Sequence, residues 1–159
     1  MPSNLEVVMR PEEKLFSLLK EKNLTMSCAE SISGGLISKR MTDISGVSAC
    51  FCGGAVTYTN DVKMRVLGVD AAIIEQYSEV SFECAKAMAE NVKELYRSDV
   101  SVSTTGYAGP TGKKIGLVYI GICANGKTDA YEFNFSGDRE EIRRLVADSA
   151  IRLLIDALM

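Results

Sequence analysis

The sequence predicts an α/β layered domain built on a mixed sheet, and three observations carry that prediction. Helical and strand-like stretches alternate through the first two thirds of the chain, as parallel strands joined by crossover helices require. Asn125-Gly126 then separates two strand-like stretches, the turn chemistry of an antiparallel hairpin. A long helical pattern closes the chain. Parallel crossovers plus one hairpin make a mixed sheet. A chain of 159 residues, 47% of them hydrophobic, suits one domain with a sizeable core.

Each element has its own signal. Pro11-Glu12-Glu13 opens the first helix, with proline and acids where the first turn tolerates them, and Leu15, Leu18 and Leu19 form its apolar stripe. Residues 24–28 read as a strand and residues 33–41 as a helix. Residues 48–58 are strand-like, with a bend or bulge expected at Gly53-Gly54. Asn60 is the expected cap of a short helix over residues 61–67. Ser81 is the expected cap of a longer helix over residues 82–96, with Cys84, Ala85, Met88, Ala89, Val92 and Leu95 directed to the core. Residues 99–104 alternate apolar and polar like a strand. Residues 106–112 form a glycine-proline loop, and residues 115–123 and 128–135 pair as the hairpin. Asp138 with Glu141 makes a capping-box-like start to the last helix, which runs to about residue 157.

Composition excludes several classes of chemistry. The net charge is −3, which argues against nucleic acid as the main partner, because that binding depends on neutralising phosphates. Histidine is absent, so no Cys/His zinc site exists, and Cys28, Cys50, Cys52, Cys84 and Cys123 form no CxxC pair. They read as buried free thiols in a reducing cytoplasm, with Cys50 and Cys52 facing the same way on their strand. No apolar run reaches the ~18 residues of a membrane span, and residues 1–10 lack the apolar centre of a secretory leader. The expected location is cytoplasmic.

Four segments could carry chemistry. Ala29-Glu30-Ser31-Ile32-Ser33-Gly34-Gly35 puts a hydroxyl at a strand-to-helix turn. Either Ser31 is a nucleophile, with amides at Ser33, Gly34 and Gly35 forming an oxyanion hole or phosphate cradle, or a serine caps the helix. Without histidine, a nucleophilic Ser31 needs a lysine or carboxylate as its base. Thr105-Gly106-Tyr107-Ala108-Gly109-Pro110 lacks the spacing of a P-loop, and no GxGxxG exists; the loop either offers amides and a hydroxyl to a polar ligand or is a surface turn. Lys63 follows Tyr58 at the start of a helix, where the dipole and apolar neighbours favour a neutral amine; the alternative is a surface lysine. Arg139 and Arg143 share one helix face. They either bind a phosphate or carboxylate, or pair with Glu140 and Asp148 in solvent.

Taken in order, these segments resemble one family. Ala29-Glu30-Ser31-x-Ser33-Gly34-Gly35, Thr42-Asp43-x-x-Gly46-x-Ser48, Tyr58-x-Asn60-x-x-Lys63-x-x-x-Leu67-Gly68-Val69, Thr105-Gly106-x-Ala108-Gly109-Pro110 and Gly137-Asp138-Arg139-x-x-Ile142-Arg143 together resemble the CinA C-terminal domain family. That family includes stand-alone nicotinamide-nucleotide amidases. The resemblance spans about residues 11–158 and implies a single three-layer α/β/α domain over residues 1–159, often a homodimer. It implies hydrolysis of nicotinamide mononucleotide to nicotinate mononucleotide and ammonia, with neither metal nor cofactor. By resemblance Ser31 is the nucleophile, Lys63 its base, and Tyr58 a relay or orienting group. Ser33, Gly34, Gly35, Asn60, Thr105, Gly106 and Gly109 are the expected substrate-binding residues, with Arg143 the first candidate for the substrate phosphate. The chain departs from the family at Ile32, which is expected to reshape the pocket wall, at Tyr107 and in an abbreviated loop over residues 111–116; these departures open an amidase for another small amide as an alternative, and a non-catalytic nucleotide-binding domain is the other. The larger members carry a further N-terminal domain, for which 159 residues leave no room.

Overall fold

A computed structural model describes residues 9–159, so the absence of a leader expected for residues 1–10 falls almost wholly outside the described residues. Five strands form one mixed sheet: β1 (Met26–Glu30), β2 (Phe51–Val56), β3 (Val100–Gly106), β4 (Leu117–Ala124) and β5 (Lys127–Asn134). Their spatial order is β2-β1-β3-β4-β5. β1 is parallel to both of its neighbours, β2 and β3, while β3, β4 and β5 are successively antiparallel. The helices are α1 (Pro11–Lys22), α2 (Leu36–Thr42), α3 (Asn60–Arg65), α4 (Ala71–Tyr77), α5 (Phe82–Tyr96) and α6 (Arg139–Leu158).

Helices cover both faces, which makes three layers. On one face α1, α2 and α6 pack Leu15, Leu19, Ile37, Met41, Ile142, Ile151 and Leu154 against Met26, Cys28, Val102 and Ile120 of the sheet. An ion-pair network joins these helices: Arg40 of α2 contacts Glu12 of α1 and Asp148 of α6 at 3.0 and 3.1 Å. The Arg40 hydrogen bond holds the Glu12 carboxyl below its usual range. On the other face Ala29, Leu67 and Val69 pack against Cys84, Met88 and Val92 of α5.

The polar positions of β3 do not face solvent, as simple alternation would suggest. Ser101 and Ser103 are fully buried, and their hydroxyls donate to the Ala89 and Ala85 carbonyls of α5. Small hydroxylated side chains let the helix approach the strand while satisfying their own donors. At Gly121, opposite Ser103 on β4, an added Cβ would run into the Ala85 carbonyl and the Ser103 hydroxyl.

Several expectations need correction. Thr59, not Asn60, caps α3, its hydroxyl accepting from the Val62 amide at 3.3 Å. Leu95 is half exposed, because it lies off the buried stripe of α5. Helix α4 carried no amphipathic signal, since none of its residues is buried; its one legible sign is Asp70, which accepts from the Ala72 amide at 2.9 Å. Cys50 and Cys52 do not face alike. The register breaks beside them, leaving Cys50 buried and Cys52 exposed. Among the described residues no helix is long and apolar enough to cross a membrane.

Candidate active site

The site forms where β1, β2 and β3 end, the usual place for a ligand in a parallel sheet. Ser31 follows β1 directly, and its amide donates to the Thr104 carbonyl at 3.0 Å, tying the turn to the end of β3. The chain then turns into α2. Gly34 adopts φ +59, and an added Cβ there would collide with the Arg143 guanidinium.

Glu30 organises this turn. It is fully buried, and its carboxylate accepts from the Ser33 hydroxyl at 2.8 Å, the Ile37 amide at 2.8 Å, and the Ser38 amide and hydroxyl at 3.0 and 2.7 Å. An anion at the first turn of a helix also complements its dipole. The sequence signal was an acidic residue four before Gly34 in a serine-rich turn, legible as a cap only once α2 is placed.

Lys63 reaches Ser31 from α3. Helical side chains tilt toward the helix N-terminus, which aims Lys63 back at residue 58. Its Nζ lies 3.0 Å from Ser31 Oγ and donates to the Tyr58 carbonyl at 3.1 Å. The lysine is only 1% exposed. Burial pushes its pKa below the ordinary lysine value, with Cys84 and Glu79 acting weakly in the opposite sense. Ser31 Oγ itself stands 3.5 Å from the same Tyr58 carbonyl.

These two side chains open onto a cavity of about 220 Å3, whose wall also includes Tyr58, Asn60, Glu79, Val80, Thr105, Gly106 and Tyr107. A larger, open cleft of about 460 Å3 beside α5 holds Arg65, Asn91 and Glu94 but no paired serine and lysine. Among the described residues no three Cys, Asp or Glu side chains are grouped closely enough to hold a metal ion.

The remaining candidates divide. Asn60, Thr105 and Gly106 line the cavity, although the Thr105 hydroxyl donates to the Glu79 carbonyl at 2.6 Å. The Tyr58 phenol does not reach Ser31; it accepts from Arg139 at 2.6 Å, and the tyrosine serves the pair through its backbone carbonyl. Ser33 is buried between Glu30 and Thr104 and has no face on the cavity. The Gly34 amide closes a turn onto the Ser31 carbonyl at 3.1 Å, and Gly35 stands as the N-terminal cap of α2. Gly109 lies outside the wall, its carbonyl accepting from Arg139 at 2.7 Å. Arg143 donates to the carbonyls of Ile32 and Ser33 at 3.1 and 3.5 Å, so it braces the turn. Neither arginine pairs with Glu140 or Asp148; Asp148 binds Arg40 and Arg152 instead. Ile32 packs into the core, so its substitution leaves the cavity wall alone, whereas Tyr107 does line it. Sequence reasoning missed Glu79 and Val80 as wall residues, because the turn after α4 carries no motif.

The family profile described as the CinA C-terminal domain matches residues 9–158. The chain is 47% identical over 142 residues to a Bacillus subtilis protein named "Putative competence-damage inducible protein", covering 87% of this chain and 34% of the relative. A CinA-like protein of Dictyoglomus thermophilum is 44% identical over 152 residues, covering 93% of this chain and 37% of that one. The chain thus spans about a third of the length of the curated relatives it matches. Among solved structures, the competence/damage inducible protein CihA from Agrobacterium tumefaciens superimposes with a TM-score of 0.89 at 34% identity, covering 95% of this chain and 97% of that one. On these findings, with the fold and the order of the motifs, the chain belongs to the CinA C-terminal domain family.

Proposed function

We propose that this chain is a nicotinamide-nucleotide amidohydrolase, converting nicotinamide mononucleotide to nicotinate mononucleotide and ammonia. The observation that carries the reading is the buried Lys63 amine 3.0 Å from the Ser31 hydroxyl. A histidine-free chain has few ways to activate a serine, and an amine whose pKa is lowered by burial is one of them.

In the proposed reaction neutral Lys63 takes the Ser31 proton while Ser31 Oγ attacks the carboxamide carbon. The Tyr58 carbonyl holds one N–H of Lys63, which leaves the nitrogen lone pair for the serine. The amides of Ile32 and Ser33 follow the nucleophile and have no acceptor among the described residues. Neither residue lines the cavity, so the reading asks of this turn only that its backbone amides turn toward the tetrahedral oxyanion when it forms, each such donor being typically worth ~3 kcal/mol. Lys63 then returns its proton to the departing nitrogen, and ammonia leaves. Water, deprotonated by the same amine, attacks the acyl ester, and Ser31 regains its proton.

The cavity volume fits an aromatic carboxamide rather than a whole nucleotide. Pockets that enclose a drug-sized ligand usually span ~300–1,000 Å3. At about 220 Å3 this one takes the ring, and the ribose phosphate extends to the rim. Tyr58 and Tyr107 supply flat apolar wall for that ring. The same volume, with Tyr107, also suits an amidase for another small aromatic amide. Ammonia release by purified protein from a panel of nucleotide and non-nucleotide amides decides between them, and activity independent of both Ser31 and Lys63 would refute the mechanism. A homodimer is the proposed assembly, tested by scattering at several concentrations.

A further inference from the structure

The cavity wall contains one carboxylate, Glu79, which the proposed chemistry does not use. Lys63 alone activates Ser31, and Glu79 hydrogen-bonds neither of them. Yet the residue is fixed from both ends. Its side chain accepts from the Ser78 hydroxyl at 3.2 Å, and its carbonyl accepts from the Thr105 hydroxyl at 2.6 Å.

Ser78 makes this holding costly. It stands at φ 81 and ψ 158, a region open essentially to glycine alone. A glycine would adopt the turn without strain but would have no hydroxyl to give. Serine accepts the strain and uses its Oγ twice, donating to Glu79 and accepting from the Val80 amide at 3.2 Å. Strain of this kind persists where the surroundings over-determine it, commonly at ligand sites.

We propose that Glu79 is a specificity-determining residue that selects the charge of the substrate ring, favouring a cationic heteroaryl carboxamide over its neutral counterpart. The proposal rests on the amidase reading and deepens it. The oxidised pyridinium of nicotinamide mononucleotide carries its positive charge on the same ring as the scissile carboxamide; the 1,4-dihydro form carries none there. A ring small enough for this cavity, seated with its carboxamide at Ser31, places that charge against the Glu79 wall. The phosphate, negative in both forms, stays at the rim. Glu79 also tightens the hold of Lys63 on its proton, against the effect of burial. A cation docked on Glu79 cancels that hold and favours the neutral base, so the preferred ring also readies the nucleophile.

Binding tests the proposal better than turnover, because the ring charge itself alters amide reactivity. Calorimetry on the Ser31→Ala chain should show nicotinamide mononucleotide binding about tenfold tighter than its 1,4-dihydro form, a difference of about 1.4 kcal/mol. Adding Glu79→Gln should erase the preference by weakening the cation only, with the melting temperature unchanged. Ser78→Gly should reduce it in part. Equal affinities before the Glu79 change, survival of the preference after it, or no binding of either form would overturn the proposal. If the preference appears while the wild-type chain releases no ammonia, the amidase reading fails and the charge selection stands. If ammonia is released but the two forms bind equally, the amidase reading stands and the charge selection fails.

Discussion

Lys63 Nζ lies 3.0 Å from Ser31 Oγ, although the two residues stand on different elements and are brought together only by the parallel pairing of β1 with β2. The pair has one buried amine, one hydroxyl and one shared acceptor, the Tyr58 carbonyl. Residues acting as a unit lose their function together. Ser31→Ala and Lys63→Met should each lower kcat for ammonia release by about 10^3-fold or more, and the double variant should be no worse than either. Steady-state rates with circular dichroism as a fold control check this; additive losses would show that the two residues act separately.

The second prediction follows from the direction of the Lys63 shift. Its folded pKa is lowered, chiefly by burial. Activity should therefore rise with pH through a single limb lying below the ordinary lysine value, and Lys63→Arg should be inactive throughout because guanidinium does not deprotonate. Stability follows the same sign. Between the folded and unfolded pKa values the unfolded chain binds more protons, so the contribution of Lys63 is greatest above the unfolded value and is lost as pH falls through the folded one. Urea melts should show wild type losing ground to Lys63→Met as pH is lowered from about 10.5 toward neutrality.

How much of this was legible in the sequence depends on whether a signal was local. Caps at Ser81 and Asp138 and the Asn125-Gly126 hairpin act within a few residues, and the structure places all three as expected. Ser31 and Lys63 were singled out together by the resemblance; read alone, one segment also fits a helix cap and the other a surface lysine, and only the tertiary fold brings the two side chains to 3.0 Å. Arg143 and Ser33 were misjudged. Each has a chemically suitable side chain, but its target is set by tertiary packing: Arg143 finds two loop carbonyls, and Ser33 finds Glu30 and Thr104. Tyr58 shows the same limit, since the sequence cannot tell that its carbonyl, not its phenol, faces the lysine.

Glu30 yields a stability prediction that is separable from chemistry. Its fully buried carboxylate accepts from two hydroxyls and two amides, the amides belonging to the first turn of α2. Glu30→Ala leaves the buried Ser33 hydroxyl and Ile37 amide and the half-buried Ser38 donors without this acceptor, which should cost about 3 kcal/mol. Glu30→Gln keeps the shape but turns an N–H toward other donors and should cost about half as much. Urea unfolding measures both. A change within experimental error would mean that water replaces the carboxylate, and that the turn does not depend on Glu30.

Gly34 and Arg143 provide the last prediction, because one space serves both. Arg143 braces the Ile32 and Ser33 carbonyls, and an alanine at Gly34 would place its Cβ on the guanidinium while also straining a φ of +59. Arg143→Ala removes the brace and Gly34→Ala expels it, so both should loosen the turn that presents Ser31. The expected signature is a fall in kcat of about tenfold or more with KM little changed, as when a positioning contact is lost. A phosphate-binding arginine would behave differently. Its loss would raise KM for nicotinamide mononucleotide and leave the corresponding nucleoside unaffected. Comparing the two substrates in Arg143→Ala separates these roles. The Gly34→Ala/Arg143→Ala double variant should then be only slightly worse than Gly34→Ala alone, since the side chain being displaced is already gone.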